Sequence, residues 1–312
     1  MEKIMDAIRY LKALADETRL RLALVLQHHE LSVNELVSLF AMGQSRISRH
    51  LKILSEAGLL RSRRDGLWAF YSASPDGEAH DFLQGVLPFF AGEKQVRDDL
   101  SRARLLMDER AASTRHFFNA IADDWDTMNR EVLGDFSLPA TVLGVLPDAC
   151  GTFVDLGCGT GEVLQSVRGA CRSVIGVDNS PRMLELAQRR FGGQEGSVSL
   201  RIGELGHLPL RDGEADFACT SLVLHHISDP QSALREMARA LAPGGRALLI
   251  DFDRHSDESM RTRYGDLWLG FSLADLTAWL AAAGLAMEEH RIQPVRNRLL
   301  LHVILARKSQ PA

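Results

Sequence analysis

The spacing of apolar residues changes character along this chain. Ile4, Ile8, Leu11 and Leu14 recur at helical intervals and predict a first helix. A second, carrying Leu20, Leu22, Leu24 and Val25, follows an Asp16 suited to cap it. Ser32-Val33-Asn34-Glu35 is a capping-box sequence and predicts a third helix from Ser32 to Phe40. The turn Ala41-Met42-Gly43 then leads into a fourth, Gln44 to Ala57, and two short helices around a glycine-containing turn are a helix-turn-helix signal. After Gly58, Leu59–Arg64 and Leu67–Ser72 read as strands around Asp65-Gly66, a strong hairpin turn pair. Glu78 to Ala112 returns to helix, broken near Gly85, Pro88 and Gly92 and charged from Glu93 to Arg110, as a solvated spacer would be. Phe82, Val86, Leu87, Phe89 and Phe90 give this stretch an apolar side that packing against a second domain would explain.

Further along, short apolar strands alternate with helical stretches. The strands are Thr152–Leu156, Ser173–Val177, Val198–Ile202, Ala215–Ser221 and Arg246–Phe252, with Leu285–Ile292 and Leu299–Ala306 as a closing hairpin. Such alternation predicts an open parallel α/β sheet. The expected fold is therefore two domains. An N-terminal winged helix-turn-helix, mostly α with a β-hairpin wing, spans 1–92; a helical linker spans 93–112; a C-terminal α/β Rossmann-like domain spans 113–312.

Composition narrows the class. The chain has 312 residues, 46% hydrophobic and 25% charged, enough for two cores. No apolar run reaches the length of a membrane span, and the first residues form a charged amphipathic segment rather than a signal peptide. Cys150, Cys158, Cys171 and Cys219 form no Cys-x-x-Cys pair and imply no disulfide framework, which suggests a reducing cytoplasm. Net charge is −5, unevenly placed: residues 1–75 hold 11 lysines and arginines against 8 acids. Gln44–Arg64 concentrates Arg46, Arg49, Lys52, Arg61, Arg63 and Arg64 around one acid, Glu56, the footprint of a nucleic-acid module. Gln44, Ser45, Arg46, Ser48, Arg49 and Lys52 would share the polar face of the fourth helix, with Ile47, Leu51 and Leu54 opposite. Arginine and glutamine suit base edges, serine and lysine suit phosphates, and Arg61, Arg63 and Arg64 would set the wing against the backbone.

The richest stretch is Val154-Asp-Leu-Gly-Cys-Gly-Thr-Gly161, with glycines at 157, 159 and 161 between a strand and a helix. Glycine there admits positive φ and lets a ligand approach the backbone. The spacing departs from the dinucleotide fingerprint, and Asp155 points towards a ligand with a cationic or amino-acid head. Asp178, at the tip of the next strand, is placed to take ribose hydroxyls.

Two resemblances follow from these residues. Leu14–Arg21, Gln44–Leu54 and Ala57-Gly58-Leu59 resemble the ArsR/SmtB family of bacterial repressors, which implies an operator duplex, a homodimer and release by an effector. The Cys-x-Cys metal pair of many members is missing from the third helix, and the zinc pairs of the last helix are not apparent around Asp76–Glu93, so no metal is expected. Asp155–Gly161, Val177–Pro181, Gly203-Glu204, Asp216 with Leu222–His226, and Leu241–Gly245 resemble the class I S-adenosylmethionine (SAM)-dependent methyltransferases. That likeness implies SAM or S-adenosylhomocysteine (SAH) as ligand. Asp155 and Gly157 would hold its methionine part, Asp178 the ribose, and Glu204 and Leu205 the adenine edge. Cys158, Gly159, Gly161, Asn179, Met183, Gly203 and Ser221 complete the implied set, and Phe117–Met128 with Trp125 resembles the family's lid.

His225 and His226 are the candidate general bases, although methyl transfer demands little beyond alignment. The cysteines form no thiolate platform, and no Asn/Asp-Pro-Pro-Tyr/Phe sequence supports DNA methylation. As a whole the chain resembles SAH-responsive (SahR-type) regulators, implying a repressor of methionine-cycle genes that senses SAH or SAM. The alternative is an active small-molecule methyltransferase with an autoregulatory DNA-binding domain.

Overall fold

The computed structural model describes residues 2–192 and 198–309. Two compact units, Met1–Arg110 and Ala111–Ala312, each enclose an apolar core. The first begins with α1 (Glu2–Leu14), α2 (Glu17–His28), β1 (Leu31–Ser32), α3 (Val33–Phe40) and α4 (Gln44–Glu56). The wing follows as β2 (Leu60–Asp65) and β3 (Trp68–Ala73), with β3 central in a sheet ordered β1-β3-β2. Then come α5 (Gly77–Val86), a 3₁₀ turn (Leu87–Phe90) and α6 (Lys94–Ile121), whose residues up to Arg110 belong to this unit.

Local chemistry explains where these helices start. Asp16 Oδ1 accepts from the Arg19 amide at 3.0 Å, and Ser32 and Glu35 close a reciprocal capping box at the head of α3. Each such cap is worth about 1 kcal/mol. Ile47, Leu51 and Leu54 of α4 meet Leu22, Leu26 and Leu36 in the core.

α1 is the helix that the apolar spacing predicts, although of Ile4, Ile8, Leu11 and Leu14 only Leu14 is buried, beside Tyr10 and Ala13. Two expectations differ from the structure. The hairpin turn is Gly66-Leu67 rather than Asp65-Gly66, because Asp65 pairs with Trp68 and its buried carboxylate accepts from Arg63 Nη1 at 2.8 Å. The charged stretch after Glu93 is no solvated spacer either. Val96, Asp99 and Ala103 are buried, and Arg21 grips Asp99 with Nε and Nη2 at 2.6 and 3.0 Å. Arg110 Nε also donates to Glu35 at 2.8 Å. Charge on one side of α6 hid an inward stripe on the other, so the first unit runs past residue 92 to Arg110.

The second unit takes up the rest of α6, then α7 (Trp125–Leu133), α8 (Leu138–Leu143), β4 (Cys150–Leu156), α9 (Glu162–Val167), β5 (Cys171–Asp178) and α10 (Pro181–Arg190). It continues with β6 (Val198–Ile202), β7 (Ala215–Ser221), a 3₁₀ turn (Leu224–His226), α11 (Pro230–Ala240) and β8 (Leu241–Phe252). Last come α12 (Ser259–Tyr264), α13 (Leu273–Ala282), β9 (Leu285–Pro294) and β10 (Leu300–Lys308). Sheet order is β6-β5-β4-β7-β8-β10-β9. The first five of these strands are parallel and the β9–β10 hairpin closes the edge antiparallel, as the sequence pattern predicts. Phe153, Val154, Val174, Val177, Phe217 and Leu248 are buried, the composition of strands covered on both faces. Chain order reverses at β4, between β5 and β7, which opens a ligand crevice beyond the carboxyl ends of these strands. Among the described residues, no helix is long and apolar enough to cross a membrane.

Candidate cofactor site and nucleic-acid interface

The turn after β4 is built on the carboxyl end of β5. Gly157 and Cys158 both donate their amides to the Val177 carbonyl, at 2.8 and 3.0 Å. Gly157, Gly159 and Gly161 have φ of 75°, 50° and 79°, so all three positions require the left-handed region glycine tolerates. A Cβ on Gly157 would fall 2.5 Å from Val223, and one on Gly161 would meet Phe191 and Ala187 at 3.0 and 3.1 Å. Cys158 turns its sulfur towards Gly176 in the core, so only its backbone can face a ligand.

Asp178 organises the neighbouring strand end. Its Oδ2 accepts from the Gly159 amide at 2.9 Å and its Oδ1 from the Ser180 amide at 2.8 Å. Ser180 caps α10 by accepting from Met183, which is itself buried. Asn179 Nδ2 and Arg115 Nη1 both donate to the Glu204 carboxylate, at 3.1 and 3.3 Å. Gly203 donates its amide to the Asp178 carbonyl at 3.0 Å, Leu205 is buried and Ser221 ends β7 half-buried. The structure thus gathers Asp155, Gly157, Gly159, Gly161, Asp178, Asn179, Gly203 and Glu204 around the strand ends that the sequence singled out.

Asp155 is the electrostatic outlier. It is buried, Oδ1 has no hydrogen-bond partner among the described residues, and desolvation with the nearby Asp178 pushes its pKa up to about 7. Burial also raises Asp178, partly offset by the amides that donate to it. Two buried carboxyls and an orphaned acceptor beside a glycine turn form a site that fits a ligand with an ammonium and hydroxyls. SAM and SAH carry both.

Two residues inside the expected lid segment Phe117–Met128, neither singled out by the sequence, close this site. Asn119 of α6 accepts from the Ser180 hydroxyl at 2.7 Å, and Asp126 of α7 accepts from Thr160 at 2.6 Å and also pairs with Arg190. No local pattern marks them, since their partners are distant in the chain. Leu222 adopts φ 57°, a strained setting for a branched side chain directly after β7.

His225 and His226 differ in role. His225 Nδ1 stands 2.6 Å from Asp251 Oδ1, an acid at the end of β8, and its Nε2 3.8 Å from Asp266. Burial lowers its pKa, but these two carboxylates outweigh that and leave it raised. His226 goes the other way, held well below the ordinary value by burial and by His225. Together with Asp266 the two imidazoles bring three potential metal donors within 4.8 Å, although no metal was expected. His225 Nδ1 is engaged by Asp251 and His226 Nδ1 by the Gly265 carbonyl at 3.2 Å, so a cation would meet only the remaining atoms.

In the first unit, Gln44, Ser45, Arg46, Ser48, Arg49 and Lys52 are exposed on α4, as expected of a groove-reading face. Arg61 and Arg64 are exposed on the wing. Arg63 is the correction: its side chain is 11% exposed, held by pairing with Glu30 and Asp65, and lies over Phe70. His50, between Arg49 and Leu51, also packs inward, with Nδ1 3.7 Å from Asp16.

Comparison with known proteins agrees with this architecture. The model of bacterial regulatory proteins of the arsR family matches residues 16–62, and a methyltransferase-domain model matches 154–249. A 2-phytyl-1,4-naphtoquinone methyltransferase of Nostoc punctiforme is 30% identical over 58% of this chain and 80% of its own. The ubiquinone/menaquinone biosynthesis C-methyltransferase UbiE of Syntrophotalea carbinolica is 31% identical over 48% of this chain. An uncharacterised 37.1 kDa protein in transposon TN4556 of Streptomyces fradiae is 35% identical over 50% of this chain. The chain spans 46% of the length of the transposon protein and 66% of UbiE. Among solved structures, a chain from the complex of the Haloferax volcanii Trm112 methyltransferase activator with a methyltransferase superposes with TM-score 0.53 at 23% identity, covering 62% of this chain and 98% of that one. The fold and site thus define a class I SAM-dependent methyltransferase domain joined to an ArsR-type helix-turn-helix. The chain belongs to the methyltransferase family through its C-terminal unit and carries an arsR-family DNA-binding domain ahead of it.

Proposed function

We propose that this protein is a DNA-binding transcriptional regulator whose methyltransferase-like domain senses SAH, or SAM, and so controls genes of the methionine and SAM cycle. The observation that carries the reading is α6, one helix from Lys94 to Ile121. Its first half supplies Val96, Asp99 and Ala103 to the core that holds the recognition helix. Its last turns supply Thr114, Arg115, Phe117, Phe118 and Asn119 to the cofactor site. A ligand that repositions Asn119 or Arg115 therefore acts on a helix shared with the DNA-binding core, the kind of element through which two sites become linked. Asp155 and Gly157 would hold the amino-acid part of the ligand, Asp178 the ribose and Glu204 the adenine edge. Gln44, Ser45, Arg46, Ser48, Arg49, Lys52, Arg61 and Arg64 would face an operator duplex. Ile4, Ile8, Leu11 and the exposed Phe89 are available to a second copy, in keeping with a homodimer.

To test this, the protein selects its own duplex from a random library, and binding to that duplex is titrated with SAH and with SAM. A change of about tenfold or more in DNA affinity with SAH, larger than with SAM, is expected. Equal affinity with and without both ligands would end the sensor reading.

A second reading is favoured by relatives named as quinone methyltransferases and by the His225–Asp251 pair at the strand ends. In it the protein is an active small-molecule methyltransferase, with SAM supplying the methyl group and the DNA-binding domain autoregulatory. This chain's residues would then align the acceptor and exclude water, and His225 or His226 would take its proton. Turnover of labelled SAM with a reduced naphthoquinone, lost in Asp178→Asn, would establish that activity.

A further inference from the structure

Two of the four cysteines face each other at the end of the sheet that the cofactor reading does not use. Cys150 opens β4 and Cys171 opens β5, and the two stand in direct register across this parallel pair. Residues in register on adjacent strands turn their side chains to the same face, about 4.8 Å apart across the sheet. That spacing falls within the roughly 4.4–6.8 Å between Cα atoms that a disulfide spans. Cys150 is buried in the core, Cys171 packs half-buried against the same core, and the two thiols are within hydrogen-bonding reach. A turn enters each strand just before its cysteine, so a small backbone shift can bring the sulfurs to bonding distance. The other cysteines are placed differently: Cys219 stands in register with Asp155 and Leu248, and the Cys158 sulfur turns towards Gly176. β4 runs 7 residues from Cys150 to Leu156, roughly 20 Å, so the pair is remote from the glycine turn.

We propose that Cys150 and Cys171 form a redox-sensitive pair that a hydroperoxide converts to a disulfide joining the amino ends of β4 and β5. The half-buried Cys171 sulfur attacks the O–O bond of hydrogen peroxide and keeps one oxygen as a sulfenic acid; the other oxygen leaves as water. The Cys150 sulfur then attacks the sulfenic sulfur: the S–S bond forms, the S–O bond breaks, and the oxygen departs with the Cys150 proton as a second water. Two thiols thus lose two electrons, and one hydrogen peroxide is reduced to two waters. Burial raises both thiols above the ordinary cysteine range, so thiolate is scarce at neutral pH and bridging is slow, quickening as pH rises. The bridge pins the root of the stretch that carries the glycine turn and α9. None of this depends on which ligand the glycine turn holds.

The experiment treats the full-length protein with hydrogen peroxide, alkylates it under denaturing conditions without reductant, and maps the peptides by mass spectrometry beside a non-reducing gel. The expected product is a peptide pair joining Cys150 to Cys171 within one chain, two hydrogens lighter than the free thiols, with Cys158 and Cys219 still alkylated. Dithiothreitol should release it. Bridging should quicken about tenfold from pH 7 to pH 8, as for thiols still mostly protonated there. Cys150→Ser should stop bridging and leave Cys171 as a sulfenic acid that dimedone traps, whereas Cys171→Ser should leave Cys150 alkylated. Should a serine variant fail to fold, the wild-type peptide map decides alone. Both cysteines fully alkylated after peroxide, or oxidised separately to sulfinic acids, would overturn the proposal. A disulfide between chains, or one to Cys158 or Cys219, would overturn it equally.

Discussion

Asp155 shows what a single residue contributes when burial overrides its usual chemistry. Its folded pKa of about 7 lies above the ordinary aspartate value of 3.8 that the unfolded chain would show. The folded state therefore holds the proton more tightly, and stability falls as pH rises between those two values. A shift of this size corresponds to roughly 4 kcal/mol lost across that window. Asp155→Asn should raise the melting temperature of the ligand-free protein at pH 8 and change it little at pH 4.5, while weakening SAH. An unchanged melting temperature at pH 8 would mean that Asp155 is not strained by burial. On the DNA face, Arg49→Ala should weaken duplex binding about tenfold, and Lys52→Ala should lower the salt slope by about one unit. Arg63→Ala should instead destabilise the first unit, since Arg63 already pairs with Glu30 and Asp65. Its burial follows from those two acids, which lie outside Gln44–Arg64 and which charge counting along that stretch overlooks.

At the scale of elements, legibility tracked how local the cause was. The capping box of Ser32 and Glu35 and the strands Val198–Ile202 and Ala215–Ser221 stand where the sequence pattern predicts them, because neighbours within a few residues determine them. The three glycines could be read because positive φ admits few other residues. α6 was misread because Asp99, a charge, is buried against Arg21, a partner distant in sequence. Within the lid-like segment Phe117–Met128, the individual contacts of Asn119 and Asp126 were not legible for the same reason, since Ser180 and Thr160 are distant in sequence. Asp99→Ala tests the corrected view: it leaves a guanidinium without its buried carboxylate and should cost about 3 kcal/mol. In urea unfolding that loss should appear in the first unit's transition alone. A variant as stable as the wild type would return Lys94–Arg110 to the solvated spacer that its charge suggested.

For the whole molecule, the methyltransferase fold was legible because several glycine- and acid-bearing strand ends recur in order, and the winged helix because its turn and basic helix adjoin. What those signals do not carry is the step from ligand to response. The two cores meet in sequence at α6, which supplies buried residues to one and site residues to the other. A helix with both duties should make ligand binding and DNA binding interdependent, reciprocally and by the same factor. The direct measurement is operator affinity by fluorescence anisotropy at zero and saturating SAH, in the wild type and in Asp178→Asn. The account predicts a shift of about tenfold or more in the wild type, absent from the variant, whose ligand-free DNA affinity is unchanged. A wild-type affinity that stays constant while calorimetry shows the site filled with SAH would contradict it.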